Sequence, residues 1–86
     1  MSAESKQESF QYAKRVCDRL ARRAQDAREA CGLSQYGLWQ GSGVSRDMIS
    51  RVESGESIAT LFVAARLSHG VGMTLDDFVS GLEDGG

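Results

Sequence analysis

The chain has 86 residues, 41% of them apolar and 26% charged, which fits one globular domain and leaves little room for a second. No apolar run approaches the roughly 20 residues that cross a bilayer, and Met1 to Gln11 is too polar for a secretory leader, so an intracellular protein is expected. Net charge is −2 but uneven: residues 1–28 carry seven Lys and Arg against four Asp and Glu, whereas residues 56–86 carry one against five.

An acidic total weighs against tight non-specific binding to nucleic acid, which depends on neutralising phosphates. It leaves room for specific binding through one local face. Cys17 and Cys31, if carried on one helix, stand too far apart for a disulfide, and one histidine, His69, completes no zinc site with them. Two buried or half-buried thiols are expected, with no metal and no cofactor. No phosphate-binding glycine loop or nucleophile–base pair is visible, so an enzyme is not expected.

Proline is absent and helical periodicity dominates. Phe10, Ala13, Cys17, Leu20, Ala24, Ala27 and Cys31 recur at alternating spacings of three and four, one apolar stripe on a helix expected from about Glu8 to Cys31. Gly32 stops it. The other faces hold a basic cluster, Lys14, Arg15, Arg19, Arg22 and Arg23, read mostly as solvated surface. Ser34 caps a second helix, Gln35 to about Gly41, weakened by Gly37 and Gly41. After the turn Ser42-Gly43-Val44, Ser45 caps a third helix, Arg46 to about Glu53, ended by Gly55. Thr60 caps a fourth, Leu61 to about His69, with Leu61, Ala64, Ala65 and Leu67 inward. Thr74 with Asp77 resembles a capping box for a fifth, Leu75 to Leu82. The expected organisation is a polar and then helical extension over 1–18, a domain over 19–80 and a disordered tail over 81–86.

Two short capped helices joined by a glycine-containing turn form the pattern of a helix-turn-helix. Leu38, Ile49 and Val52 then face inward, and the third helix exposes Arg46, Asp47, Ser50 and Arg51. Arginine grips guanine bidentately in the major groove, aspartate accepts from cytosine, and serine serves either.

The residues Gly32-Leu33-Ser34-Gln35, Gly43-Val44-Ser45-Arg46 and Ile49-Ser50-Arg51-Val52-Glu53-Ser54-Gly55 resemble the Cro/repressor-type family, the lambda-repressor-like or XRE-type helix-turn-helix domains. Leu75-Asp76-Asp77-Phe78 resembles the start of that family's fifth helix, so the likeness covers about residues 19–80. It implies an all-α, five-helix domain with an N-terminally extended first helix. It also implies a cytoplasmic regulator of transcription, of bacterial or phage type, bound to double-stranded DNA as a homodimer on a palindrome. Gln35, Ser45 and Ser54 would meet phosphates, and Arg46, Asp47, Ser50 and Arg51 would face bases. Arg28 and Glu53 would form a structural salt bridge between helices one and three. Trp39 departs from the pattern, standing where the family prefers a small residue, and must swing outward or widen the helix crossing. The alternative reading is a protein-binding module, or an antitoxin with a toxin partner, on the same scaffold with weak or secondary DNA binding.

Overall fold

A computed structural model describes residues 3–84, all-helical with no strand among them. The elements are α1 (Ala3–Ala30), α2 (Gln35–Ser42), α3 (Arg46–Glu53), α4 (Leu61–Gly70), α5 (Leu75–Val79) and a 3-10 turn (Leu82–Asp84). The first helix begins earlier than Glu8, and this long rod gives the molecule a longest dimension of 45 Å.

The four helices after α1 each start at a capping side chain. The side chains of Ser34, Ser45, Thr60 and Thr74 accept the backbone N–H of Gly37, Met48, Val63 and Asp77 respectively, each from the residue before its helix. Each satisfies one of the donors that a helix N-terminus leaves unpaired, a contribution of about 1 kcal/mol. Gly32 ends α1 with φ +71°, and Leu33 N–H closes back on the Arg28 carbonyl at 3.1 Å.

The core lies between the five helices, with α2 packed on both α3 and α4, and α1 on both α3 and α5. Phe78, Leu38 and Ile49 are the largest fully buried side chains, surrounded by Ala24, Val44, Val52, Leu67 and Val71. Burying side chains of this size is worth roughly 1.5–3 kcal/mol each. The α1 stripe meets this core through Leu20, Ala24 and Ala27, while Phe10 at its far end stays exposed. Glycine at 70 lets α2 and α4 approach closely: a Cβ there would stand 2.7 Å from Leu38 Cδ1 and 2.9 Å from Ser42 Cβ.

Four expectations require correction. Residues 81–84 do not begin a disordered tail: α5 stops at Val79, Gly81 reverses the chain at φ +74°, and Leu82 turns back to be buried against α1. Two arginines of the α1 basic cluster hold this turn, so they are not solvated surface. Arg19 Nη1 donates to the carbonyls of Leu82 and Glu83 at 2.7 and 2.9 Å. Arg23 donates to those of Phe78 and Ser80 at 3.0 and 2.9 Å. Guanidinium donors suit the free carbonyls of a helix C-terminus. Gly85 and Gly86 lie outside the described residues. In α4, Leu61 is exposed, and Ala64, Leu67 and Ser68 form the buried face, with Val63 packed against the core from the first turn. Cys17 is half-buried as expected, but Cys31 is exposed in the turn after α1, its Sγ 3.3 Å from the Val71 carbonyl.

Candidate nucleic-acid interface

The turn between α2 and α3 fixes everything that follows it. Gly43 takes φ +75°, its N–H donating to the Trp39 carbonyl at 2.8 Å, and any side chain there would collide with the Arg66 guanidinium. Arg66 Nε donates to the Ser42 carbonyl at 2.9 Å, tying α4 to the corner. Val44 is buried beneath it and receives the Ser42 hydroxyl as an acceptor for its N–H at 3.1 Å. The third helix therefore leaves the turn in one direction.

Along α3, Ile49 and Val52 point into the core, and Arg46, Asp47, Ser50 and Arg51 are all exposed. Asp47 and Arg51, one turn apart, pair at 3.2 Å (Oδ2 to Nε). Exposed pairs of this kind contribute little to stability, so either partner is free to exchange for a base or phosphate. The Ser45 hydroxyl caps α3 by accepting the Met48 N–H at 3.1 Å and is itself exposed. At the other end the exposed Ser54 hydroxyl donates to the Arg51 carbonyl at 3.1 Å. Arg22 of α1 borders the same shallow cleft as Ser54 and Gly55, which brings a cation to the far end of α3.

The far end is anchored by an ion pair. Arg28 Nε donates to Glu53 Oε2 at 2.7 Å and Nη2 to Oε1 at 2.9 Å, while Nη1 donates to the Leu33 carbonyl at 2.8 Å. The side chains are 13% and 6% exposed. The hydrogen bonds to Glu53 hold the Arg28 pKa above its ordinary value against the opposing cost of burial. Gln35, the first residue of α2, adds its Nε2 at 3.3 Å from Glu53 Oε1. Its side chain thus braces α3 from the position where a phosphate contact is expected.

Trp39 resolves its conflict by swinging outward. It is 41% exposed and packs on Tyr36, ring centroids 5.3 Å apart. Tyr36 in turn lies under Arg46, the guanidinium carbon 5.8 Å from the ring centroid. The sequence pattern did not reveal this link between α2 and α3. The signal was Tyr36 and Trp39 at helical spacing on one face.

Comparison with known proteins agrees with this geometry. A family model described as Helix-turn-helix (HTH_3) matches residues 25–78, from the second half of α1 into α5. The chain therefore belongs to the Cro/repressor-type helix-turn-helix family, and it is a DNA-binding regulator of that kind. No curated protein and no solved structure matches it. Among the described residues no helix is long and apolar enough to cross a membrane, and no cluster of His, Cys, Asp and Glu is placed to hold a metal.

Proposed function

We propose that the protein regulates transcription as a homodimer on a palindromic operator, with α3 of each copy in the major groove. The observation that carries this reading is the outward face of α3. Arg46, Asp47, Ser50 and Arg51 stand exposed on a helix fixed at one end by the Gly43–Val44 corner and at the other by the Arg28–Glu53 pair. A base-reading helix needs this combination of free polar groups and a rigid support. Arg46 and Arg51 take guanine edges, and Asp47 and Ser50 take neighbouring bases. Gln35 and Ser45 meet phosphate on one side of the groove, and Ser54 with the Gly55 backbone meets it on the other.

An eight-residue helix spans few base pairs, so specificity calls for two copies on half-sites about 34 Å apart. Ile58, Leu61 and Phe62, exposed around the start of α4, offer apolar surface that association would cover. Selection from random DNA duplexes at two salt concentrations tests the reading. Enrichment of a palindrome supports it. No enriched motif at low salt contradicts it and favours the second reading, a protein-binding module or antitoxin. The Asp47–Arg51 pair and the net charge of −2 lend that second reading its support, since both lower the positive potential of the α3 face.

A further inference from the structure

Tyr36 and Trp39 are half-exposed aromatics, 48% and 41%, outside the core, and Tyr36 sits beside Arg46, the first residue of α3. Leaving two large rings in partial contact with water forgoes burial that a small domain needs. What they do contact is informative. Trp39 is tilted by 55° against Tyr36, Gln40 Nε2 lies 3.4 Å from the Tyr36 hydroxyl, and the Tyr36 ring carries the Arg46 guanidinium at 5.8 Å. Asp47, the acid next to Arg46, is engaged by Arg51.

We infer that Tyr36, braced by Trp39, is a positioning residue for Arg46 and sets specificity at the base pair Arg46 meets. The inference rests on the reading of α3 as the base-reading helix. A free arginine samples many rotamers, and ordering it on binding costs entropy. A ring face that already holds the guanidinium reduces that cost. A cation–π contact uses none of the guanidinium N–H donors in a hydrogen bond, so they remain available for the O6 and N7 acceptors of guanine. The contact orients a cation already present and adds none, so the effect falls on base discrimination and not on the phosphate attraction that governs non-specific affinity.

The test uses the whole chain with Tyr36→Leu, Tyr36→Phe and Trp39→Leu, each checked for folding by circular dichroism. In the free protein, the δ-methylene protons of Arg46 are expected upfield in the NMR spectrum of the wild type and Tyr36→Phe. They are expected at ordinary values in Tyr36→Leu. On a selected operator, the base pair whose preference Arg46→Ala relaxes serves as the reporter. Tyr36→Leu should lower discrimination there by roughly two- to fivefold, Trp39→Leu should lower it less, and Tyr36→Phe should keep it. The salt dependence and the affinity for random DNA should stay unchanged. Unshifted Arg46 protons in the wild type overturn the inference, as does full discrimination by Tyr36→Leu. An equal loss in Tyr36→Phe also overturns it, because it assigns the effect to the hydroxyl. If the wild type enriches no motif, the reading of α3 itself fails and the inference falls with it; if it enriches one and only the variants behave otherwise, the inference alone fails.

Discussion

Arg28 at the end of α1 and Glu53 at the end of α3 are joined by two hydrogen bonds, 2.7 and 2.9 Å, in side chains that are mostly buried. Removing one partner strands the other charge away from water. Glu53→Ala should destabilise the fold by about 3 kcal/mol, measured by urea unfolding. The double variant Arg28→Met with Glu53→Leu should recover much of that loss, because neither residue leaves a buried charge. Equal losses in the single and double variants would mean that packing and not charge matters there.

Gly70 and Gly41 face each other across the contact of α2 with α4 but tolerate a side chain differently. A Cβ on Gly70 meets Leu38 and Ser42 below 3.0 Å, whereas one on Gly41 meets only the Gly70 backbone, no closer than 3.7 Å. Gly70→Ala should cost about 1–3 kcal/mol from overpacking. Gly41→Ala should stabilise by about 0.5–1 kcal/mol through helix propensity. Thermal melts of the two variants check the opposite signs.

Arg23 ties the end of α5 to α1 through the carbonyls of Phe78 and Ser80. Charged hydrogen bonds of this kind are worth about 1.5–3 kcal/mol. Arg23→Ala should speed amide hydrogen exchange in α5 and the turn after it well before it affects α2 and α3. Uniform acceleration across the chain would show that the C-terminal turn does not open on its own.

Arg22 lies beside Ser54 and Gly55 and is exposed. On the proposed docking it reaches a phosphate. Arg22→Ala should weaken binding to all duplexes alike and reduce the salt slope by about one. A loss confined to one sequence would assign it to base reading instead.

Much of this fold was legible in the sequence because its determinants are local. The four cap residues, the left-handed glycine at 43 and the apolar residues Leu38, Ile49 and Val52 are fixed by spacing within one or two turns. The Arg28–Glu53 pair is invisible to periodicity and came through the family resemblance. The close approach at Gly70 and the burial of Leu82 were not legible. Gly70 reads as a simple helix stop until α2 is laid against it. Leu82 is buried only because Gly81 turns the chain and Arg19, far upstream, takes its carbonyl. Leu61 misled because an apolar residue at the right period need not lie over the core. At the interface, the exposed α3 face followed from the motif, whereas the Tyr36–Arg46 contact depends on the angle between two helices.

On the proposed docking, side chains of α3 read bases. The most direct measurement combines Arg46→Ala and Arg51→Ala with single base-pair changes in the selected operator and records affinity for every pairing. Each variant is expected to lose about 1–3 kcal/mol on the intact operator and to become indifferent to one particular base pair in each half-site. A loss spread evenly over all operator variants, or no loss, would contradict base reading by α3.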